Sequence, residues 1–238
     1  MTATAAAIRK TLQELADPEI AAHSLRFFKS GPGDYGEGDR FIGIRMPVLR
    51  RVAKENRNLS LTQLQRLLRS AIHEERMCAL LILVLQFQAA ERAEDNGEQQ
   101  KLFRFYSANT ASINNWDLVD CSAYQIVGGW LYPRKRQPLY RWAQSDLLWE
   151  RRIAMMATYY FIREHDFDDT LALAETLLHD NEDLIHKVCG WMLREVANRD
   201  IKVTSSFLQQ HAASMPRTML RYTIEKFPER ERQRWLAV

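Results

Sequence analysis

Apolar residues recur every three or four positions along almost the whole chain, and no convincing segment alternates apolar and polar residues as a half-buried strand would. The pattern predicts an all-α protein of roughly twelve to fourteen helices with short connections. Pro47, Pro133, Pro216 and Pro228 each stand at the head of a helical-looking stretch, where a missing N–H costs nothing. Ser60 and Gln63 have capping-box spacing ahead of Leu64 and Leu67. Residues 21–29 read as helical and lead into the one irregular stretch, Gly31–Gly38, which contains a literal GxGxxG. A dinucleotide-binding turn needs a strand before that motif and a helix directly after it. Neither pattern is present, so the stretch reads as a loop, either a plain connector or a segment lying near a ligand.

Three phrases align without gaps: His73-Glu-Glu-Arg-Met-Cys78, Trp149-Glu-Arg-Arg-Ile-Ala154 and Leu184-Ile-His-Lys-Val-Cys189. Each sets a basic residue, Arg76, Arg152 or Lys187, ahead of apolar or small ones. The offsets, about 76 and 35 residues, correspond to two periods and one period of a helix-pair repeat. Such units bury their apolar faces only by stacking. The expectation is therefore a HEAT-like helical-repeat solenoid, an α-α superhelix with a concave basic groove, forming one domain over residues 1–238.

Placed on a helix at about 100° per residue, Ile185, Val188, Met192 and Val196 form one stripe, the evident core. Lys187, Trp191, Arg194 and Asn198 form a second. A tryptophan flanked by two cations either packs against a neighbouring repeat under their aliphatic stems or offers a π surface within a phosphate-binding stripe. Arg152, Met156, Tyr159 and Arg163 share a comparable stripe, and stacked repeats would put Arg152 and Lys187 in equivalent places on one surface. Trp116 and Asp120, four residues apart in Ile113-Asn-Asn-Trp-Asp-Leu-Val-Asp120, share a helix face. Asp120 stands at the edge of an apolar stripe of Val119, Ala123, Val127 and Trp130. Asp117 suits a helix start, where a carboxylate complements the dipole. Asp120 has no comparable local reason, and a salt bridge to Arg152 competes with a functional role.

Composition narrows the field. Of 238 residues, 46% are apolar and 26% charged, which is globular, and only nine glycines and seven prolines favour long helices. A net charge of +3 does not by itself require a polyanionic partner. The run from Arg134 to Arg163 is more basic: Arg134, Lys135, Arg136, Arg141, Arg151, Arg152 and Arg163 face only Asp146 and Glu150. Cys78, Cys121 and Cys189 have neither disulfide nor zinc spacing, and the histidines lack metal-ligand spacing, so no metal is expected. The start, MTATAAAIRK, has no apolar signal core, and the longest apolar run, Cys78–Leu85, is too short to span a bilayer. A cytoplasmic protein with no membrane association is the expectation.

The phrases FIGIRMP (41–47), INNWDLVD (113–120), LWERRIA (148–154), IHKVCGWMLREV (185–196) and MPRTMLRYTIEKFP (215–228) together resemble the AlkD-like DNA alkylation repair family of HEAT-like repeat alkylpurine DNA glycosylases. The resemblance runs from about Ile20 to Leu236. It implies hydrolysis of the N-glycosidic bond of cationic alkylated purines, such as 3-methyladenine and 7-methylguanine, in double-stranded DNA, by a monomer without cofactor. It implies a catalytic aspartate at Asp120, cleft tryptophans at Trp116 and Trp191, and DNA-binding arginines at Arg152 and Arg194, to which the helical stripes add Lys187 and Arg163 as DNA-binding candidates. Phe27 corresponds to an N-terminal cleft tyrosine and lacks its hydroxyl. Asn115-Trp116 stands where the best-known members pair two tryptophans. The alternative function is a non-catalytic HEAT-repeat protein that binds damaged or branched DNA, since some relatives bind without excising bases. A third is a peptide-binding scaffold.

Overall fold

The computed structural model describes residues 3–238, and every regular element among them is helical. The only β pairing among them is an isolated bridge between Arg40 and Ile72. None of these helices is long and apolar enough to cross a membrane. The chain divides into two compact units, the first ending at Ser122 and the second spanning Ala123–Val238.

The first unit holds α1 (Ala5–Glu14), α2 (Pro18–Ser24), α3 (Met46–Glu55), α4 (Leu61–Leu68), α5 (His73–Arg92), α6 (Asn96–Ser107) and α7 (Trp116–Asp120). Helix α5 is its axis. The apolar run read in the sequence lies within it, and Met77–Val84 are all buried because α3, α4 and α6 pack around that helix. Each such Leu or Ile contributes about 1.5–3 kcal/mol relative to exposure. Ser60 does precede α4, but its side chain makes no cap bond, and Gln63 Oε1 instead accepts the Ala5 N–H at 2.9 Å, tying α1 to α4. Helix α2 stops at Ser24, so residues 25–29 are not helical as the pattern implied, and Gly31–Gly38 is a series of turns.

The second unit begins with a π-helical turn, Tyr124–Gly128, running into the three-residue α8 (Gly129–Leu131). There follow α9 (Gln137–Ala143), α10 (Leu148–Arg163), α11 (Asp168–Thr176), α12 (Asp183–Ala197), α13 (Ile201–His211), α14 (Arg217–Thr223) and α15 (Glu229–Leu236). Pro133 lies in the turn after α8, and Pro138 stands in the first turn of α9 instead. Pro216 and Pro228 occupy the N-cap positions of α14 and α15. Helix α10 packs against the π turn, α9, α11 and α12, and α12 packs against α11, α13 and α14. Two glycines permit close approaches between elements of this unit. A Cβ on Gly128 would lie 2.4 Å from the Ala157 carbonyl oxygen, and one on Gly190 would lie 2.5 Å from that of Met219.

The internal repeat is structural. Two residues before the N-cap of α5, α10 and α12, the side chains of Ser70, Ser145 and Asp180 accept the N–H of Ile72, Leu147 and Glu182 at 3.1, 3.1 and 2.9 Å. This turn sets the register and corrects the gapless alignment by one residue. Arg76 donates to the Ser70 carbonyl at 2.8 Å, Arg151 to that of Ser145 at 2.9 Å, and His186 to that of Asp180 at 2.6 Å. The counterpart of Arg76 is thus Arg151, not Arg152. Arg152 and Lys187 do share a register.

Candidate functional site

Helix α7 is five residues long, far below the length at which a helix holds itself together. It is fastened from outside. Asn115, its N-cap, is fully buried, and its Oδ1 accepts the Trp116 N–H at 2.9 Å. Its Nδ2 donates to Asp39 Oδ2 at 3.1 Å. Asp117 accepts the Leu118 N–H at 2.9 Å with Oδ1 and meets His73 Nε2 at 2.8 Å with Oδ2. The dipole therefore explains only part of Asp117.

His73 opens α5 with its Nδ1 3.3 Å from Asp39, and Asp39 also accepts from Arg76 Nη2 at 2.6 Å. Burial works against charge on His73, but the hydrogen bonds to Asp117 and Asp39 and the charge of Asp117 outweigh it. The imidazole is raised from 6.5 to about 9, so it is cationic at neutral pH. Asp39 is lowered: burial opposes its charge, and the hydrogen bond from His73, the Arg76 charge and the Asn115 amide overcome it. Neither Asp39 nor His73 carries a local sequence signal, because they lie 34 residues apart.

Trp116, the first residue of α7, is half-buried and stacks on Phe28, with ring centroids 5.1 Å apart and planes 13° apart. Phe28 stacks on Phe41 at 4.8 Å, and Phe41 on His73 at 4.7 Å. These four rings line a cavity of ≈ 590 Å³ together with Phe27, Asp117, Glu19 and Glu74, among others. Phe27 is 62% exposed and meets His23 edge-on at 5.3 Å. Its neighbour Phe28, which sequence reasoning passed over, is the ring on Trp116. Asp120 ends α7 half-exposed and does not line this cavity. A turn at Cys121–Ser122 interrupts the helix, so the stripe from Val119 to Trp130 is not one continuous helix face. Burial, then the charges of Asp117 and Asp120, push the Cys121 thiol up to about 11, which leaves it inert as a nucleophile at neutral pH.

In the second unit the two stripes of α12 are as the periodicity predicts. Ile185, Val188, Met192 and Val196 are 0% exposed, whereas Lys187, Trp191 and Arg194 are half-buried and Asn198 is exposed. Lys187 pairs with Asp183 at 2.7 Å, and Arg194 pairs with Glu225. Helix α10 is buried on nearly every side, so its stripe differs. Arg152 is 4% exposed and donates to the Leu184 carbonyl at 2.7 Å, Met156 is buried, and only Arg163 is fully outside.

Two cations of the basic run are paired with acids that follow it in sequence. Arg136 pairs with Asp166 at 2.7 Å and with Asp169, and lies 4.3 Å over the Phe161 ring. Arg151 pairs with Asp180 at 2.6 Å, and Arg134 covers Trp130 at 3.6 Å. Lys135, Arg141 and Arg163 remain exposed.

The model of the family described as DNA alkylation repair enzyme matches residues 8–227. The chain belongs to the DNA alkylation repair enzyme family. That match takes in every candidate residue from Phe27 to Arg194. Among solved structures, the chain is similar to a predicted DNA alkylation repair enzyme from Enterococcus faecalis, at TM-score 0.69 and 16% identity, with 90% of this chain and 97% of that one covered. It is also similar to AlkD2 from Streptococcus mutans, at TM-score 0.56 and 14% identity, with 94% and 96% covered. At these identities the two structures establish the shared all-helical fold. No curated protein matches the sequence. Within the DNA alkylation repair enzyme family, Asn115 in this chain is accounted for by its burial and its bond to Asp39.

Proposed function

We propose that this protein is a monofunctional DNA glycosylase that hydrolyses the N-glycosidic bond of cationic alkylated purines in duplex DNA. The observation that carries this reading is α7, with the Trp116 indole and the Asp120 carboxylate four residues apart on one short, externally fastened helix. Neither side chain is fully buried.

The chemistry asks little of the protein. A purine alkylated at N3 or N7 already carries positive charge and leaves without being protonated. As the C1′–N9 bond breaks, its electrons go with the base and positive charge builds on the deoxyribose. A fixed carboxylate at Asp120 stabilises that charge more than it stabilises the ground state, which is what lowers a barrier. Water adds to C1′ and loses its proton, with Asp120 as the group that orients it. Trp116 offers a π face to the cationic nucleotide or its sugar, and in the second unit Trp191 offers one to the DNA. Lys187, Arg194 and Arg163 act on phosphates, Arg152 supports them from within α10, and Phe27 lies on the DNA. Lys187 and Arg194 now hold Asp183 and Glu225, but half-exposed pairs of this kind are worth only about 0–1 kcal/mol, so exchanging a carboxylate for a phosphate costs little. The reaction requires no cofactor and no second copy of the chain, so a cytoplasmic monomer is the proposed working form.

The test is release of free base from duplex DNA carrying 7-methylguanine or 3-methyladenine, followed by mass spectrometry. Base released in proportion to enzyme and time supports the reading. Tight binding of the same duplex with no base released would replace it with a non-catalytic DNA-binding role.

A further inference from the structure

Helix α7 cannot position its own side chains, yet the reaction proposed above depends on where Trp116 and Asp120 stand. The side-chain hydrogen bonds that tie the start of α7 to the rest of the unit run to two residues outside it, Asp39 and His73. Asp39 is delivered by a backbone clip: the Arg40 N–H donates to the Ala71 carbonyl at 2.9 Å, and the His73 N–H donates to the Arg40 carbonyl at 2.8 Å. The glycine-rich loop closes on the same point. Gly36 is buried, and a Cβ there would lie 2.7 Å from the Lys29 carbonyl oxygen and 3.4 Å from the Asn115 amide nitrogen. From that place Asp39, only 3% exposed, reaches Asn115, His73 and Arg76. His73 in turn reaches Asp117. The residues on either side of Trp116 are thus tied to one buried centre, and the Trp116 ring lies on Phe28 between them.

We propose that Asp39 and His73 form a clamp on α7, and that His73 is a positioning residue for Trp116 and Asp120. This rests on the glycosylase reading for its effect on rate, but not for its effect on Trp116. The charged groups around His73 are Asp39 from the loop, Asp117 from α7, and Arg76 and Glu74 from its own helix. Glu19 and His23 of α2 and Arg45 before α3 line the same cavity. The imidazole is held between two carboxylates, so its second proton completes the clamp, and losing that proton leaves one of the two hydrogen bonds unmade.

The experiment uses the full-length protein labelled with 5-fluorotryptophan, with the Trp116 resonance assigned from Trp116→Phe, alongside base release from 7-methylguanine duplex DNA. His73→Gln keeps an amide donor for one carboxylate but cannot serve both. It is expected to lower the single-turnover rate by about 10- to 100-fold, as small displacements of positioned groups do, with DNA affinity within about 2-fold of wild type. It is expected to shift the Trp116 resonance and abolish the wild-type titration of that resonance near pH 9. Arg9→Ala, which removes the Arg9–Glu75 pair on the same helix α5, is the control for general destabilisation and should leave both readouts in place. A wild-type rate and an unmoved Trp116 resonance in His73→Gln overturn the clamp. If wild type releases no base, the glycosylase reading fails on its own, and the resonance alone decides: titration near pH 9 upholds the clamp, and a flat profile overturns it. That wild-type titration serves equally if His73→Gln does not fold.

Discussion

A carboxylate stabilises a developing cation only if it is held in place and not fully screened by water. The three aspartates around α7 meet those conditions differently. Asp39 and Asp117 meet His73, and Asp120, half-exposed at the far end of the helix, is the one we assign to the substrate. Their pairing has a consequence for stability. Because His73 is raised to about 9 from 6.5, its contribution is fully present below pH 6.5 and lost as pH climbs through about 9. Thermal unfolding of wild type should therefore lose ground relative to His73→Gln between those two values. Parallel Tm-versus-pH curves for the two proteins would contradict the assignment. His73 was not legible as functional in the sequence, because its partners come from positions 34 and 44 residues away. Phe28 was missed for a similar reason: two adjacent phenylalanines look alike in a sequence, and only the turn after α2 decides which one faces Trp116.

At the scale of elements, α12 was legible because one face is buried and the other is not, so apolar spacing maps directly onto burial. Helix α10 was not, because neighbours on several sides bury it and Arg152 is internal despite its charge. The pairing of Arg136 and Arg151 in the basic run around it was hidden for a related reason. Their counter-ions Asp166, Asp169 and Asp180 lie past the end of the run and return through packing. The glycines at helix contacts make a direct prediction. Gly190→Ala places a methyl 2.5 Å from the Met219 carbonyl oxygen and the Tyr222 Cβ, backbone and near-backbone atoms that cannot swing aside. It should cost about 1–3 kcal/mol, as overpacking of a tight contact does, measured by urea unfolding. A loss below about 0.5 kcal/mol would mean that α12 and α14 tolerate separation.

For the whole molecule, the family and the all-helical class were both legible, the one in long ordered motifs and the other in helical periodicity along most of the chain. The division at Ser122 was not, because repeat periodicity continues across it. Binding to DNA is a property of the molecule, and salt reads it. Lys187→Ala should weaken duplex binding and reduce the slope of log affinity against log salt by about 1, whatever the sequence of the duplex. An unchanged slope would remove Lys187 from the phosphate contacts. Whether Asp120 supports glycosidic bond cleavage is decided by the single-turnover rate of Asp120→Asn on duplex DNA carrying 7-methylguanine, with affinity measured on the same duplex. The rate should fall at least about 100-fold below wild type, as for loss of a preorganised electrostatic group, with affinity within about 2-fold. A variant that releases base at the wild-type rate would contradict that role.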